Sequence, residues 1–158
     1  MRYALILAVG LLLLPPPAQA QQWSQAEQGV IDFTERCWDM WQQEQTERYF
    51  SDCWHEDISF WWAGWLMPAG MSWLRENSQF FFGSGGGSTP ALDFQPHSVR
   101  VFGSAAVINY QLLGADVVND GDPIWWGTGR TDFLVRENGD WRVVAVHQHA
   151  APQNPYGE

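Results

Sequence analysis

The sequence predicts an α+β domain, with helices gathered ahead of a mainly antiparallel sheet, and three observations carry that expectation. Ser24 with Glu27 three places on forms a capping-box signature at the start of a stretch with helical periodicity. After the glycine-rich run from Gly83 to Thr89 the period changes from helical to alternating. Near the C-terminus two alternating runs flank Asn138-Gly139, the dipeptide that best tolerates the left-handed backbone of a two-residue hairpin turn.

Taken in order, Met1 to Ala20 holds one Arg, an apolar stretch from Ala4 to Leu14 and a closing Ala18-Gln19-Ala20. These are the marks of a secretory signal peptide. Residues 1–20 are therefore expected to be removed, and residues 21–158 to form one domain that is periplasmic or secreted. The apolar core of the leader is short for a bilayer, and no other run approaches the about 20 residues a membrane helix needs, so no membrane partner is expected.

Val30, Phe33, Thr34, Cys37, Trp38 and Trp41 recur at helical spacing and predict a long helix from Ser24 to Gln43. Thr46 is expected to cap a shorter helix carrying Tyr49, Phe50, Cys53 and Trp54. Ile58 to Trp62 reads as a strand, Gly64 to Gly70 as a loop, and Ser72 as the cap of a third helix with Trp73, Leu74, Asn77, Phe80 and Phe81 on one face. The run Gly83 to Thr89 reads as a flexible connection. Strands are expected at Leu92–Phe102, Ala105–Val118, Ile124–Arg136 and Asp140–Ala150, separated by turn residues. Pro96 should hold the first of these at an edge or mark a bulge, because proline cannot donate to a ladder.

The chain has a net charge of −10, and its eight basic residues include no Lys. Losing Arg2 with the leader makes the balance more acidic still. Such a surface repels nucleic acid and anionic membranes, and without Lys the glycine run cannot be a Walker phosphate loop. No nucleophile elbow, metal motif or cofactor fingerprint is present, so neither a cofactor nor a metal is expected. Cys37 and Cys53 lie 16 positions apart in a chain bound for an oxidising compartment, which favours a disulfide over two buried thiols. Two antiparallel helices meeting near Gln43 to Glu47 would bring them together.

Several of these residues also carry a resemblance. Gly70-Met71 before the third helix, Pro96-His97 followed by Val101-Phe102-Gly103, and Ala105-Ala106 with Ile108 and Tyr110 are its first part. Pro123, Thr131 and Gly139-x-Trp141 leading to His147 and Pro152 complete it. In that order they resemble the nuclear transport factor 2-like superfamily in its SnoaL-like branch, and more narrowly the association domain of calcium/calmodulin-dependent protein kinase II and its bacterial relatives. The resemblance implies a long helix packed across a strongly curved, mainly antiparallel sheet, a cone with a pocket between them, and pairing of copies through the outer sheet face. In the family, arginines make the pocket attractive to small carboxylates; the matching positions here hold Leu112, Asp132 and Gln148, and only Arg130 could replace them. A ketosteroid-isomerase-like site would want a carboxylate near Trp62, and a limonene-epoxide-hydrolase-like site an Asp where Val143 and Val144 stand.

The hairpin decides which side chains enter that pocket. A two-residue turn would set Arg130 opposite His147 and Thr128 opposite His149, whereas a three-residue loop from Glu137 to Gly139 would set Arg130 opposite Val146 and Thr128 opposite Gln148. One residue of slip exchanges the two faces. The resemblance favours the second, with Tyr110, Leu112, Thr128, Arg130, Asp132, Val144, Val146 and Gln148 inside, and Thr131, Phe133, Val143, Ala145, His147 and His149 outside.

Tyr49, Tyr110, Leu112, Trp126, Thr128, Arg130, Asp132 and Gln148 are thus the candidate ligand-binding residues. Asp132 and Arg130 are the catalytic candidates, as a tuned base with its cation or else as a structural ion pair. His147 and His149 share a face but lack a third metal ligand. The eleven Trp serve either core and subunit packing or an aromatic mouth. Trp125 and Trp126, being adjacent in a strand, must point opposite ways. The reading preferred on these grounds is an exported domain that forms homodimers or larger homo-oligomers and holds a small organic molecule without catalysis. Its rivals are a cofactor-free isomerase, dehydratase or hydrolase using Asp132 and Arg130, and a pure assembly module.

Overall fold

The protein is described by a computed structural model over residues 22–150; the leader and Pro152 lie outside the described residues. The first helix, α1 (Gln25–Gln42), starts where Ser24 and Glu27 set it. The Ser24 Oγ accepts the Glu27 N–H, and the Glu27 carboxylate accepts the Ser24 N–H at 3.0 Å. Ser24→Ala removes this cap and should lower the melting temperature by about 2–4 °C, read by thermal circular dichroism. The buried stripe of α1 is Val30, Ile31, Phe33, Thr34, Cys37 and Met40.

The chain reverses at Glu44, in left-handed backbone with φ 59°, and enters α2 (Thr46–Cys53). That reversal puts Gln45, not Thr46, at the N-cap, with no side-chain cap bond. Cys37 and Cys53 form a disulfide across the two helices, their Cα atoms 6.0 Å apart.

Trp54 belongs to the strand rather than to α2: β1 runs Trp54–Trp62 and starts four residues ahead of the expected Ile58. The early part was hidden because β1 is a sheet edge, where His55, Glu56 and Asp57 stay accessible and break the apolar pattern. The loop to Gly70 folds back so that Ala69 bonds Phe60 in both directions. The helix α3 (Met71–Gln79) is N-capped by Gly70 and not by Ser72, and it runs into a π-helical turn, Phe80–Ser84.

The glycine run is only in part a connection. The strand β2 (Gly87–Phe102) takes in Gly87 to Thr89, and a Cβ on Gly87 would strike the ring of Phe81. Glycine here lets an aromatic side chain lie on the backbone. The strands β3 (Ala105–Val118), β4 (Ile124–Glu137) and β5 (Asp140–Ala150) follow as an antiparallel meander. The sheet order is β1-β5-β4-β3-β2, with β1 parallel to β5. Pro96 lies on the edge strand β2 beside a register shift, which satisfies both expectations for it. Three helices packed on a five-stranded, mostly antiparallel sheet make the α+β architecture.

The hairpin resolves in an unexpected way. Asn138 and Gly139 both have positive φ, 52° and 95°, as a two-residue type I′ turn requires, and Glu137 pairs with Asp140. A bulge on β5, where Val144 is left unpaired between the Leu134–Val143 and Phe133–Ala145 pairs, then shifts the register, so that Asp132 pairs with Val146 and Arg130 with Gln148. Neither expected partner for Arg130, His147 or Val146, is the one found. The bulge nonetheless restores the faces that the three-residue loop would have given, because one extra residue flips the phase beyond it. Val143, expected outside, is buried on the turn side of the bulge, while Val144 is only half-buried.

Candidate functional site

Alternation along β3 and β4 turns Tyr110, Leu112, Thr128, Arg130 and Asp132 to the face under the helices, where all five are buried. Arg130 and Asp132, two apart on one strand, are only 3% and 2% exposed. Their side chains close on each other. Arg130 Nε donates to Asp132 Oδ1 at 3.0 Å and Nη2 to Oδ2 at 3.1 Å, the fork geometry that gives a guanidinium its strongest carboxylate contact. Tyr110 donates its hydroxyl to Asp132 Oδ2 at 2.8 Å, and Trp38 Nε1 donates to the Tyr110 oxygen at 3.1 Å.

Rings surround the cation. The guanidinium carbon of Arg130 lies 4.8 Å from the ring centre of Trp38, 5.4 Å from Phe60, 5.6 Å from Trp54 and 5.7 Å from Tyr110, all within cation–π range. Burial opposes the charge on Arg130, but the Asp132 carboxylate outweighs it and holds the guanidinium firmly protonated. Burial pushes the Asp132 carboxyl up, against the pull of Arg130 and Tyr110. Tyr110 and Tyr49 are likewise pushed up by burial and stay neutral phenols.

Above this ion pair lies a cavity of about 470 Å³ between the helices and the sheet. Trp38 and Trp41 of α1, Tyr49 and Phe50 of α2, and Trp54, Phe60 and Trp62 of β1 form one side. Trp73, Leu74, Asn77 and Ser78 of α3, with Phe81, form another, and Leu112, Asp116, Trp126, Gly127, Thr128, Arg130 and Gln148 come from the sheet. The aromatic walls touch each other; Trp41 and Tyr49, for example, have ring centres 5.3 Å apart. Trp126 reaches the cavity by lying over Gly114, its partner on β3, where a Cβ would come within 2.6 Å of the indole. Trp125 points the other way and is 58% exposed.

Of the eight expected ligand-binding residues, Tyr49, Leu112, Trp126, Thr128, Arg130 and Gln148 line the cavity. Tyr110 and Asp132 do not; they sit behind Arg130. The Thr128 hydroxyl is already committed, donating to the His149 carbonyl at 2.6 Å. His147 and His149 lie exposed on the outer face, and no group of three or more metal-ligating side chains occurs among the described residues. Six Trp line the cavity, so aromatic walls and core packing are one and the same role for these rings.

Asp116 is the lining residue that sequence reasoning missed. It continues the inward phase of Tyr110 and Leu112 by four residues along β3, which is the signal that could have found it. Its carboxylate accepts the Thr89 hydroxyl at 2.8 Å. The indole of Trp126 rests against it, yet Trp126 Nε1 is buried without a hydrogen-bond acceptor. Burial pushes the Asp116 carboxyl up, with Thr89 and Trp126 pulling the other way.

Helices laid over a mostly antiparallel sheet, with an aromatic hollow between them and a closed ion pair at its base, define a class of pocket-bearing α+β domain. Comparison with solved structures makes the class specific. No family model matches the sequence, and no curated protein matches it. A nuclear transport factor 2-like protein of unknown function in nutrient uptake from Rhodospirillum rubrum is 18% identical, with a TM-score of 0.65 over 78% of this chain and 98% of that one. A ketosteroid isomerase-like protein from Erwinia carotovora atroseptica is 10% identical, with a TM-score of 0.68 over 82% of this chain and 100% of that one. A nuclear transport factor 2-like protein with a cystatin-like fold from Novosphingobium aromaticivorans is 16% identical, with a TM-score of 0.62 over 98% and 94%. The chain has the nuclear transport factor 2-like fold.

Proposed function

We propose that the protein is an exported domain that holds a small organic molecule in the cavity above Arg130, does no chemistry on it, and pairs with copies of itself. The observation that carries this reading is a hollow of about 470 Å³ lined mainly by aromatic side chains, the setting in which apolar contact supplies affinity and a few polar groups supply orientation. A catalytic reading through Asp132 is less well supported. Both carboxylate oxygens already accept from Arg130 and Tyr110, and Asp132 is absent from the cavity wall, out of reach of a proton on a bound molecule.

Export is supported by the disulfide together with the leader pattern, and no helix among the described residues is long and apolar enough to cross a membrane. Pairing is supported by Phe133 and Trp125, 43% and 58% exposed on the outer face of β4, the face through which related domains associate. The SnoaL-like branch is the placement the motif order favours.

The neutral fluorophore N-phenyl-1-naphthylamine tests the reading. Saturable binding with enhanced emission is expected, and at 100 times its Kd the dye should add about 2.7 kcal/mol to stability and raise the melting temperature. Gln148→Trp, which fills the cavity from a half-buried position on β5, should abolish both effects. No saturable binding, or binding indifferent to Gln148→Trp, would leave the domain an assembly module.

A further inference from the structure

We propose that the molecule held is an organic cation, an amine or quaternary ammonium group on an apolar body, seated with its charge beside Asp116. The inference rests on the ligand-holding reading and names its chemical class.

A census of charge in the cavity wall leads to it. Only Arg130 and Asp116 are charged among the lining residues, and the charge of Arg130 is already matched by Asp132 through a two-point contact. Asp116 makes no ion pair within the described residues; Thr89 from β2 gives it one hydroxyl, and Trp126 from β4 gives it an indole edge but no second charge. The wall thus carries one unbalanced negative charge, inside a chain whose net charge is −10.

The rings point the same way. Trp41 and Phe81 are nearly parallel at 6.4 Å, and with Trp126 they line the same cavity as Asp116; the negative faces of such rings attract cations and repel anions. A neutral occupant would strip water from Asp116 and return nothing for it, which is costly for a carboxylate. The molecule already shows the same recognition at its own base, where a guanidinium sits among four rings against a carboxylate. Burial pushes the Asp116 carboxyl up from its ordinary value, and a cation beside it would pull it back down. Affinity for a cation should therefore rise with pH through the Asp116 titration and fall away on acidification.

The test is displacement of N-phenyl-1-naphthylamine by three probes of matched size: benzyltrimethylammonium, its carbon isostere 2,2-dimethylpropylbenzene, and phenylacetate. Benzyltrimethylammonium should displace the dye at a concentration about tenfold or more below that of the isostere. Asp116→Asn, which keeps an oxygen for Thr89, should erase that preference and leave the isostere unchanged. Acidification of the unmodified protein should weaken the cation alone, which tests the same point even if the variant folds poorly. If the isostere or phenylacetate matches or beats the cation, or if no probe displaces a dye that does bind, the cation assignment is wrong while the cavity reading stands. If the dye itself fails to bind, both fall together.

Discussion

Asp132→Ala is expected to lower the unfolding free energy by about 3–5 kcal/mol, the cost of leaving a buried charge without its partner. Arg130 is 3% exposed, and the ring faces around it attract its charge without replacing the two hydrogen bonds it would lose. The hydroxyl of Tyr110, now donating to Asp132, would lose its acceptor as well. Urea unfolding followed by tryptophan fluorescence reads the effect as a drop in midpoint. The double variant Arg130→Met with Asp132→Leu should recover most of the loss, because an apolar pair of similar volume pays no desolvation of charge. A single variant that unfolds at the wild-type midpoint would mean that the ion pair does not hold the base of the cavity together.

Replacing both Cys37 and Cys53 by Ala should cost about 3 kcal/mol, the chain-entropy value for a closed loop of about 15 residues. The effect reaches the cavity, because the crosslink ties α1 to α2 and these helices supply Trp38, Trp41, Tyr49 and Phe50 to its walls. The double variant should therefore bind N-phenyl-1-naphthylamine more weakly as well as melt lower. Loss of stability at unchanged dye affinity would show that α1 and α2 keep their spacing without the crosslink.

Much of the fold could be read from the chain because its local signals agree with one another. The Ser24 and Glu27 cap, the helical stripe of α1 and the four alternating strands each had one consistent solution, and the strand boundaries of β3 and β5 stand where the turn residues put them. The misreadings have physical causes. Edge strand β1 hid its first residues behind accessible polar side chains, and Gly87 read as a flexible link because the glycine that a packed ring requires is indistinguishable in sequence from a loose one.

The hairpin shows the limit most clearly. Asn138-Gly139 fixed the turn, but the bulge at Val144 has no turn residue to announce it, and it alone decides which β5 side chains share the face of Arg130. The resemblance put Val146 and Gln148 on that face by analogy, where the two-residue turn alone would have put His147 and His149 there, but it misplaced Val143 and Val144 on the turn side. At the site, the sheet residues could be found by alternation, and extending that alternation from Leu112 would have reached Asp116. Of the rings that come from the helical segments only Tyr49 was named, since it takes tertiary packing to bring Trp41, Trp73 and Phe81 to one cavity.

The central claim is that the space between the helices and the sheet is a site for a molecule. A crystal structure of the protein grown with N-phenyl-1-naphthylamine tests it most directly. The account expects ordered density for the dye within contact of Trp38, Trp126 and Leu112, above an intact Arg130–Asp132 pair. A cavity collapsed so that the indoles of Trp62 and Trp126 meet, or dye bound only on the outer face of β4, would contradict it.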